Sequence, residues 1–404
     1  MNDDTGVGPQ SSPGVAGGGA PVVLQVVPRL NASGGTERGT VDIARAVAAA
    51  GWGSVVASAG GPLVGQLENR GVRHVVMPVD SKNPLVIRAN ADRLETLIRE
   101  TGANIVHARS RAPAWSARAA AKRTGAHFVT TVQGIHSTGT AGKRRYNAIM
   151  TKGELVITNS QFTAEHIIDV YKADPSRIRV IHRGVDLSMF SAEAVTSARI
   201  IGLAERWRLP DGAPVVMLPG RLTSWKGHRL LIDAVERLGR RDICCVFVGE
   251  DKGHENYRRS LEREIERRDL GGVVRLVGGC RDMPAAYMMA DVVVSASDRP
   301  EAFGRVLAEA EAMGRPVVAA DHGGARETVI DGETGWLFAP GDPAALAVAL
   351  GEALTMPDDV RQALAQRATA HIRANFSLQQ MCEATLAVYA EVLDIGTDAN
   401  GAGA

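Results

Sequence analysis

The stretch Asp298–Glu327, DRPEAFGRVLAEAEAMGRPVVAADHGGARE, decides how the rest of the chain is read. It follows an apolar run, Asp291–Ser295 (DVVVS), with the character of a buried strand, and it opens a helix at about Phe303. A second strand pattern, Arg315–Ala320 (RPVVAA), and a glycine turn at Gly323-Gly324 complete a strand–helix–strand unit. Glu301 falls in the turn before the helix and Glu309 about two turns inside it, roughly 8–10 Å away along the axis. Between them the free amides near Phe303, Gly304 and Arg305 offer an anion site, reinforced by the helix dipole. Carboxylate, phosphate cradle, carboxylate suits the sugar, diphosphate and ribose of a nucleotide sugar. The plainer alternative makes Glu301 a capping acid and Glu309 a solvated helix residue.

Outward from this unit, short strands alternate with helical segments along the whole chain. Strand patterns fall at Pro21–Val27, Ser54–Ser58, Arg73–Met77, Asn104–His107, His127–Thr131 and Leu155–Thr158, and Ile178–Asp186 closes the first half. They restart at Pro214–Leu218 and continue through Cys244–Val248, Val273–Val277, Asp291–Ser295 and Pro316–Ala320, ahead of three terminal helices. This alternation predicts two doubly wound parallel α/β sheets. The expected divisions are a disordered tail over 1–19, a first Rossmann-like domain over 20–190 and a linker over 191–211. A second Rossmann-like domain follows over 212–376, then a helix over 377–395 and a loose tail over 396–404.

Three further loops carry chemistry. Gly220–Gly227 (GRLTSWKG) directly follows the first strand of the second half, and ligands of parallel sheets bind beyond the carboxyl ends of strands. Arg221 offers a planar fork and Lys226 a point charge, a pair suited to a leaving diphosphate or, more plainly, to solvent. Gly34-Gly35-Thr36-Glu37 opens a helix where backbone can approach a ligand closely. It is not a dinucleotide fingerprint, because no acid follows the second strand at Ser58-Ala59. Gly249-Glu250-Asp251 ends another second-half strand, where Glu250 lines a base pocket or simply turns the chain. Asp331–Gly335 reads as a structural turn. No Asp-x-Asp follows a strand, so a metal-held diphosphate is not expected, and neither is a resident cofactor.

Together these segments resemble the family 4 glycosyltransferases, retaining enzymes with the two-domain GT-B fold and an E-x7-E donor segment, here Glu301 to Glu309. The resemblance implies a nucleotide sugar on the second domain, an acceptor hydroxyl arriving from the first, and a terminal helix crossing back to the first domain. It also implies that Arg221, Lys226 and the Phe303–Arg305 turn meet the diphosphate, Glu301 the sugar and Glu309 the ribose, with Gly35 approaching from across the cleft. The chain departs from the family at two places. After the strand ending at Thr131, Gln133 stands where a sugar-contacting His is usual, and His136 lies three residues on. At His107-Ala108-Arg109, Arg109 takes the second place of an H-x-H. An epimerase or phosphorylase on the same fold, or a silent sugar-nucleotide-binding subunit, are the rival readings.

With 404 residues, 45% hydrophobic and 23% charged, the chain has room for two cores. The N-terminus has no apolar segment of signal type, and four cysteines show no C-x-x-C spacing, so a cytoplasmic protein with reduced thiols and no metal site is expected. A net charge of +1 gives no argument for nucleic acid. That balance hides an asymmetry. Thr101–Lys152 contains nine Lys/Arg and no Asp or Glu, leaving 37 Lys/Arg against 45 Asp/Glu elsewhere. A solvated basic face is one reading. The other is contact with an anionic partner, either a phosphorylated lipid-linked or glycan acceptor or the anionic inner membrane surface bearing it.

Overall fold

The computed structural model describes residues 19–31, 35–136 and 139–401. Residues 1–18 of the expected tail and Gly34 of the glycine turn lie outside the described residues.

Seven strands form the first sheet: β1 Val22–Val26, β2 Gly53–Ser58, β3 Arg73–Val76, β4 Ile105–Ala108, β5 His127–Val132, β6 Leu155–Thr158 and β7 Ile178–Val180. Six form the second: β8 Val215–Pro219, β9 Cys244–Val248, β10 Val274–Gly278, β11 Val292–Ser295, β12 Val317–Ala320 and β13 Gly335–Phe338. The orders are β3-β2-β1-β4-β5-β6-β7 and β10-β9-β8-β11-β12-β13, and the strand pairs are parallel. Central strands such as β9 (CCVFV) are apolar at every position because helices cover both faces. Strand order reverses between β1 and β4 in one sheet and between β8 and β11 in the other, opening a crevice at each carboxyl rim. The GT-B architecture expected from the sequence is the one observed. β13 was not expected. Its four residues, GWLF, carry too little pattern to announce an edge strand, and pairing with β12 creates it.

The Ser197–Trp207 helix, expected within a linker, packs Leu203 and Trp207 into the second core and bonds Arg199 to Asp282. At the crossing between the bodies, Val185 and Ser377 form an isolated bridge, and the Val185 amide donates to Phe376 O at 2.8 Å. A Cβ on Gly184 would stand 2.4 Å from Leu378 Cα, so the two crossing strands require glycine there. The final helix, Leu378–Gly401, runs past the expected end at 395. It buries Val388, Tyr389 and Val392 against Val23, Ile43, Ile105 and Val129 of the first body. There the Tyr389 hydroxyl lies 2.6 Å from His107 Nδ1, and Thr131 Oγ1 lies 2.7 Å from Nε2.

One core position conflicts with its surroundings. Glu311 is 0% exposed, and neither carboxylate oxygen has a hydrogen-bond partner among the described residues. Burial pushes its pKa well above the glutamate range, only partly opposed by the Thr334 hydroxyl. The folded chain therefore holds a proton that the unfolded chain releases, and stability falls as pH rises from the ordinary glutamate range through the raised value. Glu311→Gln removes that loss. We expect its thermal midpoint to exceed that of wild type by more at pH 8 than at pH 5, with about 1–3 kcal/mol at stake. An equal difference at both pH values would show that the carboxyl does not titrate in this way.

Candidate active site

The loops after β8 and β11 flank the switch point of the second sheet, and a buried ion pair joins them. Lys226 Nζ lies 2.7 Å from Glu301 Oε1, with only 13% and 19% of the two side chains exposed. The same oxygen accepts from Ser297 Oγ at 2.6 Å, and Trp225 places its ring 4.5 Å from Nζ. Burial raises the Glu301 pKa, but Lys226 and the two serines, Ser297 and Ser295, outweigh it and hold the carboxylate below its usual range. Gly227 is what lets the loops meet. It has φ +77°, and a Cβ there would stand 1.7 Å from Ala296 O. Sequence reading placed Lys226 on a phosphate and Glu301 on a sugar; the structure pairs them directly.

The Arg305–Ala312 helix starts two residues later than expected, so Glu309 lies just over one turn inside it rather than two. Glu309 is 8% exposed. Its Oε2 accepts the Tyr287 hydroxyl at 2.9 Å, while Arg305 Nε stands 3.2 Å from Oε1. It is not a solvated helix residue. Gly304, at φ +81°, starts the helix with no side-chain cap. The Phe303 side chain is core, its ring tilted against those of His182 and Phe376, so only its backbone can serve the site. Arg221 is exposed, with no partner for its guanidinium among the described residues, and Glu250 is exposed beside Gly279 at the end of β9.

Across the crevice, at the β1/β4 switch point, a second set of groups collects. Arg183 donates to Gly35 O at 2.6 Å and to Gln133 Oε1 at 2.7 Å. Arg109 is buried just beyond β4, its amide bonded to Val26 O at the end of β1. Burial, Arg305 and Arg109 together push Arg183 down to about 9, with Asp42 and Glu37 opposing. His136 does not join this set. It lines a small separate cavity with Asn147, His166 and Tyr171, where burial and Arg111 push its pKa to about 4. Glu327 bridges the two bodies, accepting from the Gln161 and Phe162 amides at 2.8 and 2.9 Å and standing 2.8 Å from His182 Nε2. Tyr287, Ser297, Arg183 and Glu327 had no role from sequence. Arg183 lies in the loop after β7 and Glu327 in the short Ala325–Thr328 helix after β12, and a place just beyond a strand is the one local signal they give.

Of the nine cations of the basic stretch, Arg109 is buried, Arg111 donates to Asn147, Arg123 pairs with Asp92 and Glu95, and Arg144 bonds Val170 O, while Arg118, Lys122, Lys143, Arg145 and Lys152 are exposed. Among the described residues, no helix is long and apolar enough to cross a membrane.

A family model described as "Glycosyl transferases group 1" matches residues 203–371, and one described as "Glycosyltransferase Family 4" matches residues 33–189. The D-inositol 3-phosphate glycosyltransferase of Salinispora tropica is 34% identical over 260 residues, covering 61% of this chain and 52% of that protein. The one from Xylanimonas cellulosilytica is 34% identical over 246 residues, covering 60% and 58%. The chain thus spans about half the length of the curated relatives it matches. A crystal structure of a glycosyltransferase from Rickettsia africae is 36% identical, with a TM-score of 0.86 over 93% of this chain and 99% of that one. Anabaena HepE, solved in complex with UDP and glucose, is 23% identical with a TM-score of 0.79 over 91% and 99%. That last likeness bears on the fold alone.

Proposed function

The chain belongs to the family 4 glycosyltransferases, and on that premise we propose that it moves a sugar from a nucleotide-sugar donor to an acceptor hydroxyl, with retention of anomeric configuration and without a metal ion. The observation that carries this reading is the buried Lys226–Glu301 pair at the second switch point. A nucleotide spanning that rim has its ribose at Glu309, its diphosphate among Arg221, Lys226 and the Gly304 turn, and its sugar at Glu301. Glu301 is already compensated by Lys226 and bonded to Ser297, so it serves as a fixed acceptor for sugar hydroxyls and not as a nucleophile. The acceptor hydroxyl then attacks on the face the diphosphate leaves. Catalysis rests on stabilising the departing charge and positioning the acceptor. A cytoplasmic role in building cell-surface glycan or glycolipid, such as lipopolysaccharide, fits this chemistry.

UDP-sugars are the first donors to test, because HepE of the same fold is seen with UDP and glucose. Phosphorylated polyols are acceptors to test, because the matched relatives are inositol phosphate glycosyltransferases. We expect nucleotide release and a glycosylated product whose anomeric configuration matches the donor, unchanged in excess chelator. An inverted product would end the retaining assignment, and full dependence on added magnesium or manganese would end the metal-free one. No binding or turnover of any nucleotide sugar would end the whole reading.

A further inference from the structure

At the first-sheet rim the charges are unbalanced. Arg109 is 5% exposed, and its Nε has no hydrogen-bond partner among the described residues. A Cβ on Gly39 would stand 3.1 Å from Arg109 Nη2 and 3.3 Å from Arg183 Nη2, so both guanidinium groups converge over the first turns of the Gly35–Ala49 helix. Asp42 acts on both through space, but neither arginine is in an ion pair among the described residues. Arg183 holds Gln133 by its Oε1, and the Gln133 Nε2 amide is buried with no partner among the described residues. Like charges brought together in a largely dry rim, with Asp42 acting only through space and no carboxylate bonded to either among the described residues, are costly, and an incoming anion relieves that cost. Two planar forks and an amide are donors only on their free sides, which matches an oxyanion.

We propose that Arg109, Arg183 and the Gln133 amide form a second anion subsite, for a phosphate or carboxylate carried by one of the substrates and distinct from the donor diphosphate. The proposal rests on the two-substrate reading above. The diphosphate has its own cations on the opposite rim, Arg221 and Lys226, so this pair is left for a different negative group. An acidic acceptor and an acidic donor sugar present the same chemistry to it. Gln133 suits such a site because its amide adds a hydrogen-bond donor without adding a third charge.

Inorganic phosphate is titrated into wild type, Arg183→Gln and Arg109→Gln, with and without saturating UDP, and followed by thermal shift. Stabilisation of wild type should persist under UDP, and its apparent affinity should fall about tenfold or more in Arg183→Gln, as for loss of a charge-assisted fork. Arg183 is partly exposed, so this variant decides the matter even if Arg109→Gln does not fold. Complete displacement of phosphate by UDP, or equal phosphate affinity in Arg183→Gln, would overturn the subsite. A failure of UDP to bind counts against the donor reading and leaves the phosphate comparison intact. Turnover then assigns the source. A preference for inositol phosphate over inositol that Arg183→Gln erases places the anion on the acceptor. A preference for UDP-glucuronate over UDP-glucose that it erases places the anion on the donor sugar. Preferences unchanged by Arg183→Gln would overturn the subsite.

Discussion

Lys226→Ala is expected to lower kcat/KM by about 10²–10³, the scale on which one preorganised donor to a developing anion acts. It should also destabilise the fold, because Glu301 is 19% exposed and loses the cation 2.7 Å away. Breaking one side of a buried pair costs about 3–5 kcal/mol. Burial alone raises the Glu301 pKa, and Lys226 is the largest of the groups that lower it. With Lys226 gone the carboxyl should take up a proton at higher pH than in wild type, so the stability deficit should widen as pH rises above the glutamate range. Arg221→Ala separates the two effects. That side chain is exposed and has no partner among the described residues, so turnover should fall while stability stays within about 0.5 kcal/mol of wild type. A folded Lys226→Ala protein with wild-type kcat/KM would remove Lys226 from the diphosphate site.

These pairings show which parts of the site are legible in sequence. The strand–turn–helix unit around Glu301 and Glu309 is local, so its order along the chain announces the rim on which it sits. The GRLTSWKG loop is legible for the same reason: it directly follows a strand. What sequence does not announce is contact across the sheets. Lys226 meets Glu301 75 residues away, and Glu327 meets Gln161 166 residues away. Neither separation leaves a periodic trace. Tyr287 is a further case. Its seven-residue helix, MPAAYMM, reads as core, and only packing shows its hydroxyl aimed at Glu309. The burial of Arg109 within the basic stretch has the same origin, because charge density along a chain says nothing of which side chains a fold turns inward.

Glu309→Gln and Glu301→Gln are expected to fail at different stages. Glu309 Oε2 accepts from Tyr287, and Oε1 faces Arg305 at 3.2 Å, with lone pairs left for a diol. An amide keeps one acceptor and can still satisfy Tyr287, but it loses the charge and half the capacity to hold two hydroxyls. On the proposed reading, this weakens a ribose contact present in both ground and transition states. The donor KM should rise, by about 1–3 kcal/mol of binding, with kcat little changed. On the same reading, Glu301→Gln acts where the bond to the sugar breaks. It also leaves Lys226 opposite a neutral amide, so kcat should carry most of the loss. UDP itself discriminates between the two, because it has the ribose and lacks the sugar. Its affinity should fall in Glu309→Gln and stay within a few fold of wild type in Glu301→Gln. Equal loss of UDP affinity in both folded variants would mean that the carboxylates do not divide ribose from sugar. The pair would then have to be read as a single electrostatic unit around the diphosphate.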